Sequence, residues 1–353
     1  MWFTGYILRK FATMFIDTAE ELANKLKEGR YKNAFITTHH KPDGDAMGST
    51  LALKRFLQAY VPTVNLVTPT DYTYTLHWLP GHEDVHVYED DVAKFEQMLK
   101  EADVVFCLDF NALHRINDLG NSIGSSGKDV VMIDHHLNPE DFATYAFANT
   151  KISSTCELVY LFIEKYFDKD KIDLDMATCI YTGTVTDTGH FAHGNTTATT
   201  HRIAAHLIDI GVDSVGIYER MFNTFTVDRS RLFGYCMYKK IELLPEYRTA
   251  LLYLDADELK EFNVVTGDTE GLVNFGLSIE NIVFSVLIID RTEKVKMSFR
   301  SKGSFAANEF AAKYFNGGGH FNAAGGASDD SLENVLAKFR EAIKGYKKEL
   351  LAV

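Results

Sequence analysis

Asp129-Val130-Val131-Met132-Ile133-Asp134-His135-His136 reads as a strand that stops on three side chains able to hold a metal ion. Four consecutive apolar residues between polar ones fit a strand covered on both faces, the kind that builds parallel sheets. Outward from it, similar runs recur at 34–38, 64–68 and 104–109, with helical periodicity over 46–60 and 155–167. Strands alternating with helices predict an α/β fold, a parallel sheet with helices on both faces. In such sheets ligands collect beyond the carboxyl ends of the strands. Asp134, His135, His136 and Asp109 all stand there.

Residues 174–218 turn helical, and 229–244 reads as a helix without a strong apolar stripe, ending at Pro245. Beyond it come strand-like 249–254, helical 256–262, paired strands 282–290 and 295–300, and helices 308–315 and 332–351. The expected organisation is a catalytic domain over 14–225, a connector helix over 226–245 and a smaller α/β domain with a mixed sheet over 246–353. Met14 opens an amphipathic start, so residues 1–13 read as an extension from an upstream start codon.

The chain has 353 residues, 46% of them hydrophobic and 24% charged, which is ordinary for two globular domains. A net charge of −13 argues against capture of long duplex nucleic acid and for a small anionic substrate. Four widely spaced cysteines without a Cys-x-x-Cys pair predict buried thiols, not disulfides or structural zinc. No apolar run is long enough for a membrane span, and the first residues reverse the order of a signal peptide, so the expectation is a cytoplasmic protein without a membrane partner. A homodimer is compatible with all of this.

Three further acidic motifs accompany the triplet. In His39-His40-Lys41-Pro42-Asp43-Gly44-Asp45-Ala46-Met47-Gly48-Ser49, Gly44 permits a turn that presents Asp43 and Asp45 to neighbouring cations, with His39 reaching in from the strand end. An ordinary helix cap would explain one of these aspartates and leave the other unassigned. Asp109 ends the apolar run 104–108, where a carboxylate is costly unless exposed, paired or bound to metal. Asp187 closes a helix of small and apolar residues, at the end the helix dipole makes unfavourable for an anion, so a cation would compensate. Oxygen and imidazole donors without thiolate favour manganese over zinc or calcium, and one carboxylate can bridge two ions about 3.5–4 Å apart.

In order, His-x-x-Pro-Asp-Gly-Asp-Ala-x-Gly-Ser, strand-Asp, Asp-His-His and Thr-Asp-Thr-Gly resemble the DHH phosphoesterase superfamily over the first two-thirds of the chain. The resemblance implies that His39, Asp43 and Asp109 hold one manganese, and that Asp45, Asp109, His135 and Asp187 hold the other, with Asp109 as bridge. It further implies that His136 contacts the substrate phosphate and aids catalysis, and that Asp134 orients its histidine neighbours. Asp109, Asp134 and His136 are thus the expected catalytic groups. Arg115, six residues beyond Asp109, is either a substrate contact or a solvated arginine at a helix start.

Residues 317–326, Gly317-Gly318-Gly319-His320-Phe321-Asn322-Ala323-Ala324-Gly325-Gly326, let backbone amides approach an anion, with His320 as an added donor. Arg300 ends a strand as a second phosphate candidate. Together they resemble the DHH-associated domain in the version found in bacterial bifunctional oligoribonucleases and pAp phosphatases, with Gly318, Gly319, His320 and Arg300 as substrate contacts. That resemblance implies a manganese-dependent phosphohydrolase that degrades short single-stranded RNA to 5′-mononucleotides and converts pAp to AMP. It also pictures two domains facing across a cleft, with hinge motion near 225–244. The alternatives are a cyclic or linear diadenylate phosphodiesterase and, in another class, a nucleotide-binding regulatory module whose metal site is dead. The ligand set is complete, which speaks against the last.

Overall fold

The computed structural model describes residues 18–353. The proposed extension 1–13 and the start at Met14 lie outside the described residues. The chain divides into two compact units after Asn223.

The first unit opens with helix α1 (18–27), followed by β1 (Asn33–Thr37), α2 (Gly44–Leu57), β2 (Thr63–Thr68), β3 (Val85–Val87), α3 (Val92–Glu101), β4 (Val104–Leu108), α4 (Asn117–Gly124), β5 (Asp129–Asp134) and β6 (Tyr145–Ala148). Helices α5 (Thr155–Tyr166), α6 (Leu174–Asp187), α7 (Ala198–Ile210) and α8 (Ser214–Phe222) complete it. The six strands are all parallel, in the order β3-β2-β1-β4-β5-β6. Side chains alternate between two cores, as a doubly covered sheet requires. Ala34, Ile36, Val104, Phe106 and Leu108 pack toward α2, α5 and α6, while Phe35, Val105 and Cys107 pack toward α3 and α4. The strand order reverses between β1 and β4, which opens a crevice at their carboxyl ends. His39 and Asp109 follow those two strands. The short strands β3 and β6 were not expected from sequence, since three or four residues carry too little alternation to register.

The second unit runs α9 (Val227–Tyr235), β7 (Ile241–Leu244), β8 (Thr249–Leu254), α10 (Ala256–Glu261), α11 (Leu272–Ser278), β9 (Phe284–Asp290), β10 (Val295–Ser301), α12 (Ala307–Phe315), β11 (Gly318–His320), β12 (Ala323–Ser328), α13 (Leu332–Lys344) and α14 (Lys347–Leu351). Its sheet is mixed, in the order β11-β12-β10-β9-β8-β7, with only β8 and β9 parallel. The helix read over 229–244 stops early. Residues Ile241–Leu244 instead form β7, an edge strand antiparallel to β8, after a π turn at Cys236–Lys240. Edge pairing supplies the backbone hydrogen bonds that a helix with no apolar stripe cannot earn by packing. Helix α9 itself buries Leu232 and Phe233 in this unit's core. The single helix expected over 332–351 breaks at Gly345 into α13 and α14. No helix among the described residues is long and apolar enough to cross a membrane.

Candidate functional site

Three loops at the carboxyl edge of the parallel sheet, after β1, β4 and β5, and the end of α6 bring the acidic motifs together. His39 follows β1. Its Nδ1 faces the His40 carbonyl at 3.0 Å, and since a carbonyl only accepts, Nδ1 is the donor. Nε2 is thereby aimed at Asp109 Oδ2, 3.4 Å away, and at Asp43 Oδ1, 4.0 Å away. Asp43 caps α2, accepting from the amides of Asp45 and Ala46 at 3.0 and 3.1 Å. The capping reading of this aspartate and the cation-facing one therefore coexist. Gly44 is needed for space and not for a turn: it is already helical, and a Cβ there would lie 2.5 Å from Thr186 Oγ1.

Asp45 is fully buried and reaches across to α5, where its two oxygens accept from the amides of Thr155 (2.6 Å) and Cys156 (2.9 Å). A carboxylate on helix amides is favourable in itself, and it locks α5 to α2. Asp109 adopts φ 64°, a left-handed conformation that costs a non-glycine residue about 1–3 kcal/mol. Its Oδ1 accepts from the Thr155 hydroxyl at 2.9 Å. Thr155 was not expected from sequence. Its signal was only the N-cap pattern Ser154-Thr155-Cys156-Glu157, which reads as helix punctuation.

His135 Nε2 lies 3.2 Å from Asp187 Oδ2, 3.6 Å from Asp109 Oδ1 and 3.9 Å from Asp45 Oδ2. Asp134 is fully buried and spends both oxygens on His136, on its amide at 3.0 Å and on Nδ1 at 2.7 Å. Carboxylate on Nδ1 fixes the tautomer and orientation of the His136 ring. The donor atoms of three sets lie within 4.8 Å of one another: His39, Asp43 and Asp109; Asp45, His135 and Asp187; and Asp109, His135 and His136. Asp134 and His40 belong to none of them. The Arg115 carbonyl accepts from the His40 amide at 3.3 Å, which puts Arg115 at the margin of the first set.

Charge makes this arrangement uncomfortable without a cation. Burial, then the charges of Asp109 and Asp43, pushes the Asp45 carboxyl well above its usual range. Burial, then Asp45 and Asp109, does the same to Asp187. For His39 burial opposes the charged form, but the hydrogen bond and charge of Asp109 win and raise it to about 9. Burial likewise opposes ionisation of Asp109, and His39 first, then His135 and His136, hold it well below the usual range. Oxygen and imidazole donors, crowded carboxylates and no lysine or arginine within ion-pair distance among the described residues are the chemistry of a hard divalent cation site.

A pH dependence follows for the chelated protein. Asp45 and Asp187 have folded values above their unfolded ones, so the folded state binds more protons and stability falls as pH rises from about 4. His39 adds a loss between about 6.5 and 9. Asp109, being depressed, contributes fully throughout that range. The melting temperature in EDTA is therefore expected to drop from pH 6 to pH 9, and the increase on adding Mn²⁺ to be larger at pH 9. A flat profile with no response to Mn²⁺ would contradict the assignment.

In the second unit, Gly318–His320 pairs with Ala323–Ser328 as a hairpin, and the side chain of His320 lies outside the described residues. Backbone crowding explains Gly317 and Gly319, where a Cβ would lie 2.1 Å from the Gly325 carbonyl oxygen and 2.5 Å from that of Ala323. Gly319 also has φ 139°. Gly318 differs, with open space where its Cβ would stand. Arg300 is half-buried on β10, donates to the Phe299 carbonyl at 3.0 Å, and has no carboxylate partner among the described residues. Burial lowers its guanidinium from the ordinary value.

The DHH family N-terminal domain matches residues 33–184 and the DHHA1 domain matches residues 249–349. The bifunctional oligoribonuclease and PAP phosphatase NrnA of Thermus thermophilus is 31% identical over 321 residues, covering 88% of this chain and 90% of that protein. The protein of the same name from Bacillus subtilis is 28% identical over 320 residues, covering 90% and 96%. The crystal structure of an exopolyphosphatase-related protein from Bacteroides fragilis superposes with a TM-score of 0.91 at 38% identity, covering 95% of this chain and 98% of that one. In sequence and in fold, the chain belongs to the DHH family and joins a DHH domain to a DHHA1 domain.

Proposed function

We propose that the protein is a manganese-dependent phosphohydrolase that releases 5′-mononucleotides from very short RNA and converts pAp to AMP. The carrying observation is the convergence of His39, Asp43, Asp45, Asp109, His135 and Asp187 on overlapping sets of donor atoms at the switch point of the sheet. Relatives of nearly the same length carry that pair of activities in their names. His39, Asp43 and Asp109 would hold one ion, and Asp45, Asp109, His135 and Asp187 the other. When bound, two such ions lower the pKa of water and neutralise charge on a phosphoryl group. In this reading Asp109 would serve both ions, which is supported by its closeness to His39 at 3.4 Å and to His135 at 3.6 Å. His136 would face a phosphate oxygen, its ring held in orientation by Asp134 through Nδ1. Arg115 adds a cationic contact at the rim.

Arg300 and the Gly318–His320 strand would grip the nucleotide. A half-buried guanidinium without a carboxylate partner among the described residues suits a phosphate, which it can bind in bidentate fashion. Gly318→Ala is expected to leave the melting temperature within about 2 °C, since its Cβ enters open space, yet to raise KM by blocking close approach of substrate. Gly317→Ala is expected to destabilise by about 1–3 kcal/mol through collision with the Gly325 carbonyl. Melting curves and steady-state kinetics of the two variants check this; equal behaviour would count against a ligand surface at Gly318.

The substrate reading is tested by turnover of di- to pentaribonucleotides, pAp, and linear and cyclic diadenylate with Mn²⁺. Short RNA and pAp are expected to be hydrolysed. Inactivity on both, or turnover of cyclic diadenylate alone, would overturn it.

A further inference from the structure

The loop that follows Asp187 does more than end a helix. Gly189, His190 and Phe191 take φ 54°, 57° and 64°, three left-handed residues in succession, two of them not glycine. That conformation is strained and persists only where its surroundings hold it. Here the His190 amide donates to the Val185 carbonyl at 2.7 Å, the Phe191 amide to the Thr188 hydroxyl at 3.0 Å, and the His193 amide to the Thr188 carbonyl at 2.9 Å. The result is a tight reversal that carries Asn195 back to the base of the metal-ligand cluster.

Asn195 then bridges two helix ends. Its Nδ2 donates to the Asp187 carbonyl at 3.3 Å and to the Ser153 carbonyl at 3.0 Å. His193 Nδ1 is also 3.3 Å from the Asp187 carbonyl, and as that oxygen only accepts, the imidazole donates. Ser153 is fully buried and is held in turn by Glu157, whose Oε2 accepts from its amide at 3.3 Å and from its hydroxyl. The same Oε2 accepts from Thr200 at 3.0 Å, tying in the start of α7. Two and three residues beyond Ser153 come the Thr155 and Cys156 amides that hold Asp45, and the Thr155 hydroxyl that holds Asp109.

We infer that Asn195 is a positioning residue that sets the spacing between Asp187 and the α5 turn holding Asp45, and so fixes the second ion's ligands. Among the described residues its side chain touches no ligand side chain and acts through two carbonyls. Among the described residues this network makes no contact with His39 or Asp43 and reaches their set only through the Thr155 hydroxyl on Asp109. The consequence is graded: loss of the Asn195 bridge loosens the second ion, whose ligands Asp187 and Asp45 it spaces, more than the first, which it reaches only through Asp109. This inference rests on the two-ion reading proposed above.

The test titrates chelated protein with Mn²⁺ by calorimetry and follows the manganese EPR spectrum. Wild type is expected to take two ions and show the exchange-coupled signal of a pair. Asn195→Ala, and Asn195→Asp, which keeps the shape but replaces the donor with an acceptor, are expected to bind the second ion about 10–100-fold more weakly and the first with a clearly smaller loss. At intermediate Mn²⁺ their EPR is expected to be that of an isolated ion, with activity restored at high Mn²⁺. Asn195 lies in an exposed turn, so both chelated variants should melt close to wild type. Two ions at wild-type affinity in both variants, or equal weakening of both ions, or collapse of the fold in both, overturns the inference. Failure of wild type itself to bind a pair would instead sink the two-ion reading, and this inference with it.

Discussion

Asp109→Asn is expected to lower kcat/KM by at least about 10³-fold and to abolish paired manganese binding while the protein stays folded. Asparagine is the informative replacement because it tolerates the left-handed backbone that Asp109 adopts at φ 64°. It also keeps the volume and the acceptor for the Thr155 hydroxyl. What it removes is the charge that His39 faces at 3.4 Å and His135 at 3.6 Å. Without that charge neither donor set is complete, so both ions lose affinity together. Circular dichroism and a cooperative melt would establish folding; activity within tenfold of wild type would refute a shared role for this carboxylate.

Gly183→Ala is expected to destabilise the first unit and disturb the metal-ligand cluster together. A Cβ at Gly183 would stand 2.3 Å from Cys156 Sγ and 2.9 Å from both Cα and Oδ1 of Asp45. Sulfur is buried against α2 and α6 and cannot swing away, and Asp45 is tied by both oxygens to α5. Overpacking of this kind costs about 1–3 kcal/mol, several degrees in melting temperature for a unit of this size. It also moves Asp45, so Mn²⁺ affinity is expected to fall with stability. Gly234→Ala is the control, since its Cβ would meet nothing within 4 Å and alanine favours the helix. Equal melting temperatures for the two variants would mean that α2 and α6 can separate freely, against the close packing described here.

The parallel sheet was legible because its central strands are apolar on both faces, as at 104–108 and 130–133, and their ends carry acidic or histidine residues. Spacing within the motifs likewise placed His39, Asp43, Asp45, Asp109, His135 and Asp187 in one region. Illegible were the groups that act through the backbone. Thr155 and Asn195 sit in N-cap and turn sequences that any helix uses, and their partners lie 46 and 42 residues away in the chain. Gly44, Gly48 and Gly183 look like turn or flexibility residues, yet they are sites of close helix approach: a Cβ at Gly48 would meet the Cys179 carbonyl at 2.4 Å. Strand β7 was misread because its apolar pairing partner, β8, comes later in the chain, and local periodicity cannot see it.

Anomalous diffraction at the manganese edge from crystals grown with Mn²⁺ tests the central claim most directly. Two peaks are expected about 3.5–4 Å apart, both within coordination distance of Asp109, one also beside His39 and Asp43 and the other beside Asp45, His135 and Asp187. A single peak, or a pair that does not share Asp109, would contradict it.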